Sequence, residues 1–227
     1  MKTTSITGPG MTALVPVLLS LPLFAQPLFA QAAPLVRPPL LFKESWRLPV
    51  HEGAPSDDNQ RISPFVVGNN QLELHTYGQA AASILAWEHE GRVDLWTGLA
   101  PSPVAVTLRD KSNYIDLRGL ARLRAILRTN AIQTLYPILK LADGALVIAK
   151  HGIVTDGEFL QVEVAFGGLA WYRLDPEKVV VKAEYKNPDL SKIDEVGFAT
   201  LAPNGGHGIA ASANISTLEL YGATMRR

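Results

Sequence analysis

The chain has no cysteine at any of its 227 positions. Disulfide staples and thiolate metal centres are therefore excluded, and stability must come from an apolar core and backbone ladders. It also lacks any charge imbalance, with 21 basic and 21 acidic residues. With no long basic run either, duplex nucleic acid and anionic lipid are disfavoured as main partners. The five histidines, His51, His75, His89, His151 and His207, are scattered without H-E-x-x-H or H-x-H spacing, so a zinc site is not indicated. No G-x-S-x-G elbow is present, which leaves a serine triad unsupported. Beyond the first 32 residues no apolar run is long enough to span a bilayer as a helix.

What is present begins with a leader. Lys2 is the only charge before Arg37, and Met11 to Phe29 is mostly apolar and broken by Pro16, Pro22 and Pro27. Ala30-Gln31-Ala32 then fits a small-x-small cleavage site, the layout of a secretory signal peptide cut between Ala32 and Ala33. The expected organisation is signal peptide 1–32, linker 33–39, one domain at 40–222 and a tail at 223–227. An exported chain without disulfides fits a bacterial periplasm or exterior. Asn214-Ile-Ser216 is a formal glycosylation sequon that has no role in that setting.

Period-two alternation dominates the rest. Leu72, Leu74 and Thr76 share one face of a short run, and Glu73, His75 and Tyr77 the other. Similar runs recur to Tyr221, separated by turn signals such as Asp143-Gly144, Asp156-Gly157 and Gly167-Gly168. Many short strands at this spacing specify an all-β antiparallel sandwich or barrel rather than βαβ units. Leu120 to Arg128 is the one segment where a helical stripe competes. Its all-β neighbours favour a strand with Arg122 and Arg124 opposite Leu123 and Leu127.

Two stretches carry a family likeness. The first is Asn113-Tyr-Ile-Asp-Leu-Arg-Gly119 followed by Tyr136-Pro-Ile-Leu-Lys-Leu-Ala-Asp-Gly144. The second is Asp189-Leu-Ser-Lys-Ile-Asp-Glu-Val-Gly-Phe198 with Ile215-Ser-Thr-Leu-Glu-Leu-Tyr-Gly222. Together they resemble galactose-binding-like β-sandwich domains, including carbohydrate-binding modules and the complex I intermediate-associated protein 30 domain. The resemblance implies a jelly roll that binds carbohydrate. The same architecture also hosts glycan hydrolases and lyases and assembly factors, so an enzyme and an envelope assembly protein remain alternatives. The Asp- and Pro-rich stretch His51 to Gly68 departs from the pattern.

The side chains suited to a sugar, particularly an acidic one, are Arg122, Arg124, Tyr136, Lys140 and Glu163, expected on one sheet face as the floor of a groove. His207, flanked by glycines, would reach in from Pro203 to Gly208, and Trp171 and Trp96 are the tryptophans expected at the surface. The alternatives are a solvated sheet face for the cations and core positions for the tryptophans. If the protein is an enzyme, Glu163 or His207 would serve as acid or base. No cofactor is implied except a structural calcium, for which Asp57-Asp58-Asn59 and the Glu44/Glu219 pair are the ligands to consider.

Overall fold

The computed structural model describes residues 36–89, 91–207 and 211–227. The leader and its cleavage site lie outside the described residues. Among the described residues fifteen strands follow in order: β1 (Leu40–Ser45), β2 (Leu72–Tyr77), β3 (Leu85–His89), β4 (Arg92–Trp96), β5 (Val104–Asp110), β6 (Asn113–Asp116), β7 (Arg122–Thr129), β8 (Leu135–Leu141), β9 (Leu146–Ala149), β10 (Leu160–Ala165), β11 (Trp171–Leu174), β12 (Val181–Tyr185), β13 (Ile193–Thr200), β14 (Ala213–Tyr221) and β15 (Ala223–Arg226). Helix is confined, among the described residues, to the single 3-10 turns Pro64–Val66 and Ala81–Ser83. No helix there is long and apolar enough to cross a membrane.

The strands form two antiparallel sheets. The first runs β10-β7-β14-β4-β3, with β1 also paired to β14. The second runs β12-β11-β9-β8-β13-β5-β2, with β6 joining β13 to β15. One apolar layer lies between them. Phe42, Leu95, Leu123, Leu127, Ile215, Leu218 and Leu220 enter it from the first sheet. Leu72, Val106, Leu108, Leu139, Val196 and Phe198 enter it from the second. This is the expected β-sandwich, closed without a disulfide because both inner faces are continuous hydrocarbon.

Strand β7 shows why the alternation decides the matter. Leu123, Ala125, Leu127 and Thr129 are buried, and Arg122, Arg124, Ile126 and Arg128 between them are not. A helix would scatter those buried positions around its circumference, whereas a strand places all four on one side. The tail expected at 223–227 is instead largely strand. Residues Ala223–Arg226 pair with β6, which satisfies backbone groups that an edge would otherwise leave open.

Strand β14 contains an irregularity that matters for the site. Its register with β7 shifts between Ile215 and Thr217. The extra residue, Ser216, resets the alternation. As a result Asn214 pairs with Arg128 on the outer face while Glu219 pairs with Arg124 on the same face. Without the shift one of the two would point into the core.

Candidate functional site

The sandwich has two outer faces, and the expected groove residues are divided between them. Arg122, Arg124 and Glu163 meet on the first sheet, where Glu163 of β10 stands opposite Arg124 of β7. Tyr136 and Lys140 lie on β8, in the second sheet. The single shared face is therefore corrected to two faces separated by the core. Strands β7 and β8 follow each other in sequence but cross from one sheet to the other, so their common phase does not bring their side chains together. Trp171 is also corrected. It is 2% exposed and belongs to the core, although it borders a cleft of about 500 Å³ with Glu184, Tyr185 and Lys186.

The tryptophans are otherwise split by the two sides of the first sheet. Trp46 is buried and its indole Nε1 donates to the Ile215 carbonyl at 2.7 Å. Trp87 and Trp96 are on the outer side, since Ala86 and Leu95 beside them point into the core, but Trp96 is only 9% exposed, so its expected surface position is also corrected and Trp87 is the part-exposed indole of the pair. Together with His89 and His207 they line a cavity of about 100 Å³. The His207 ring lies 4.9 Å from the Trp96 ring at 40°. Its Nε2 is 2.9 Å from Asp57 Oδ1, so the glycine-flanked loop does bring His207 to a cleft, though not to the arginines. Gly98 is required beside it, because a Cβ there would run into the Trp96 indole.

Beneath this cleft lies a polar chain. Asp94 and Asn214 are fully buried. Asn214 Nδ2 donates to Asp94 Oδ1 at 2.7 Å, and His89 Nδ1 is 2.8 Å from Asp94 Oδ2. Arg128 Nε donates to Asn214 Oδ1 at 3.3 Å, and its guanidinium rests 4.6 Å over the Phe159 ring. Arg92, paired with His89 across β3 and β4, covers the same ring at 5.0 Å. A buried carboxylate that touches an imidazole fixes its orientation. With Nδ1–H donating to Asp94, Nε2 is left as an acceptor.

At the other end of the same face is a second, wider cleft of about 540 Å³ lined by Arg37, Leu120, Arg122, Arg124 and Glu163, among others. One oxygen of Glu163 serves both arginines, at 3.1 Å from Arg122 Nε and 3.3 Å from Arg124 Nη2. The Tyr221 ring lies under both guanidiniums, 4.2 Å from Arg122 and 5.4 Å from Arg124. Glu219 bonds Lys43, Arg124 and Tyr221. Burial pushes its carboxyl up, but hydrogen bonds from Lys43 and Tyr221 and the nearby cations outweigh that and hold it below the usual range.

The second outer face centres on Glu195, which is fully buried. It accepts from Lys140 Nζ at 2.8 Å, Tyr77 Oη at 2.6 Å and Thr107 Oγ1, and His75 Nδ1 is 2.7 Å away. With four partners this carboxylate has little capacity left for a ligand. Tyr136 sits apart from it in a cleft of about 240 Å³ with Ile148, Tyr172 and Leu201.

The residues considered for calcium do not converge. Glu44 caps the backbone of Gly68 and Asn69, whereas Glu219 pairs with Lys43 on the outer face. Asp57 and Asp58 turn to His207 and Arg61, and Asn59 holds its own loop. No group of three or more His, Cys, Asp or Glu arranged for a metal exists among the described residues.

No protein-family model matches the chain, and no curated protein matches it. Several solved structures are similar to it. One is a family 11 carbohydrate-binding module from Clostridium thermocellum in complex with a β-1,3-1,4-mixed-linked tetrasaccharide. It has 12% identity and a TM-score of 0.46, covering 72% of this chain and 95% of that one. Another is the family 11 module of the cellulosomal cellulase Lic26A-Cel5E of the same organism. Here the identity is 15% and the TM-score 0.44, over 72% and 94% of the two chains. An exo-β-agarase is 14% identical with a TM-score of 0.42, over 74% of this chain and 25% of that one. The sandwich architecture rests on the strand pairing above and not on these similarities.

Sequence reasoning missed His89, Asp94, Arg128 and Asn214 as site residues and ranked Trp87 behind Trp96 and Trp171 as a platform for a sugar ring. One signal was available for three of them. Trp87, His89 and Asp94 are polar or amphipathic residues in phase on two adjacent short strands joined by a tight turn, so a hairpin reading of 85–96 places them together.

Proposed function

We propose that the protein is a carbohydrate-binding sandwich whose ligand lies on the outer face of the first sheet, at the Trp87–Trp96 cleft. The observation that carries this reading is the Trp87 and Trp96 indoles lining one cleft beside an oriented polar chain, His89–Asp94–Asn214–Arg128, whose two middle members are fully buried. A sugar ring has apolar faces and a polar rim. It is matched by aromatic rings that cover the faces and by polar groups held in place before binding. Preorganisation matters because a side chain already fixed by Asp94 loses no further rotamer entropy when the ligand arrives.

The test is calorimetric titration of the protein from Ala33 onward against a panel of tetrasaccharides, beginning with the neutral mixed-linked β-glucan. Trp87→Ala is expected to weaken binding at least about tenfold, as loss of an aromatic anchor does. The far-ultraviolet dichroism should be unchanged, since Trp87 is not part of the inter-sheet core. Unchanged affinity for a glycan that does bind would remove the cleft from the account.

A second reading has one observation in its favour. The Asp94–His89 pair is the arrangement of a general base and the group that orients it. If the protein cleaves its glycan, His89, oriented by the fully buried Asp94, is the base to examine before His207, whose partner Asp57 is only half-buried, and before Glu163, which is paired with two arginines. Release of reducing ends or unsaturated products, lost in His89→Ala while binding persists, would establish it. The exported, periplasmic or secreted location belongs to the same proposal and rests on the leader. Ala33 as the first residue of the exported protein checks it.

A further inference from the structure

The outer face of the first sheet carries five cations against three carboxylates in a chain whose net charge is zero. In phase on its strands stand Lys43, Arg92, Arg122, Arg124 and Arg128, against Asp94, Glu163 and Glu219. Arg37 adds a cation at the rim of the wider cleft. Three of the arginines form a row along β7, with Ile126 in the only gap. At about 3.3 Å per residue that row is roughly 20 Å long, and it leads from the 540 Å³ cleft toward the tryptophan cleft.

We infer that this row selects an anionic glycan, one whose sugar rings carry carboxylate or sulfate groups. The inference rests on the glycan-binding reading above and adds the charge class of the ligand. Three features of the arginine cleft support it. Its guanidiniums are braced on the Tyr221 ring, at 4.2 Å and 5.4 Å, and Arg124 alone spends a donor on that residue, at the Tyr221 hydroxyl. Their acceptors are shared: Arg124 reaches Glu163, Glu219 and the Tyr221 hydroxyl at 3.3 to 3.4 Å, while among the described residues Arg122 has the same Glu163 oxygen, 3.1 Å from its Nε but without hydrogen-bond geometry, and Arg124 Nε makes no hydrogen bond. The cleft is open and wide enough for a sugar unit, and a carboxylate or sulfate there can present two oxygens to the donors that Glu163 engages only through one atom. Glu163 then acts as a built-in competitor that neutralises the cleft when no ligand is present.

The experiment compares four ligands by calorimetry at low and high salt. They are tetragalacturonate, a sulfated galactan tetrasaccharide, neutral cellotetraose, and inorganic polyphosphate of matched charge. At least one anionic sugar should bind about tenfold or more tightly than cellotetraose, with the gap narrowing as salt rises. Which of the two anionic sugars leads identifies the group as carboxylate or sulfate. The double variant Arg122→Ala/Arg124→Ala should erase the preference. Glu163→Gln should do the opposite and tighten the anionic sugar alone, an outcome that a merely structural role for Glu163 would not produce. Should the arginine variants fold poorly, Glu163→Gln still decides. Equal binding of charged and neutral sugars, equal binding of polyphosphate, or Glu163→Gln without gain would each overturn the inference while leaving glycan binding intact. Failure of every sugar to bind would overturn both.

Discussion

Glu195→Ala is expected to destabilise the protein by about 3–5 kcal/mol, the usual result of removing one partner from a buried charged network. Thr107 is fully buried and Tyr77 is part-buried, and each hydroxyl would lose the carboxylate it donates to. Lys140 is 28% exposed and can turn to water, so its share of the loss is smaller. For a domain of this size the melting temperature should fall by about 10 °C. Glu195→Gln, which keeps the volume and some hydrogen bonds, should fall less. The pH dependence has a definite sign. Burial raises the Glu195 carboxyl, but hydrogen bonds from Lys140, Thr107 and Tyr77 and the charge of His75 prevail and hold it below its ordinary value. A group lowered on folding stabilises the protein above the unfolded carboxylate range, and that stabilisation is lost as pH falls through the folded value. Tyr77 moves the other way. Burial first and the Glu195 contact second raise it well above the usual phenol range, so its contribution is lost only under strong alkali. Thermal melts of the parent protein and Glu195→Gln should therefore converge in acid. A difference that stays constant down to acid pH would show that the carboxylate's charge contributes nothing.

Asp94→Ala is expected to damage both stability and binding. It removes the acceptor for Asn214 Nδ2 and the partner of His89 Nδ1, at a site with no solvent access to replace them. Leaving the buried amide unsatisfied costs about 1–3 kcal/mol, and the freed imidazole adds to that. Affinity should drop further than stability alone explains, because His89 and Arg128 lose their fixed positions beside the indoles. Asp94→Asn offers a control that retains an oxygen for Asn214 while removing the charge. Melting curves and titrations of the three proteins separate the effects. If Asp94→Ala binds glycan as well as the parent does, the polar chain has no part in recognition.

The alternation of β2 and β7 was enough to read a sandwich from the sequence, because one-sided burial leaves a period-two imprint that no helix shares. The same imprint placed Arg122, Arg124 and Glu163 outside the core and together. What it could not convey is which sheet each strand joins. Tyr136 and Lys140 have the right phase and the wrong sheet, since the chain crosses over after Thr129. Local irregularity hid the rest. The register shift at Ser216 reverses the phase of Asn214, which in sequence shows only as part of a sequon and in the fold is fully buried against Asp94. Trp87 and Trp171 likewise look alike as residues in short apolar strands, and only the neighbours that point inward, Ala86 in one case and the core itself in the other, tell them apart.

The four tryptophans supply the most direct test of the glycan-binding face. Each has one indole N–H, giving four resonances in a proton–nitrogen correlation spectrum of the protein. Trp87 and Trp96 line the proposed cleft, while Trp46 and Trp171 are buried on the other side of the sheet and in the core. Titration with a bound tetrasaccharide should shift the Trp87 and Trp96 signals, assigned by single Trp→Phe variants, and leave those of Trp46 and Trp171 in place. A glycan that binds while the Trp87 and Trp96 signals stay fixed would contradict the account.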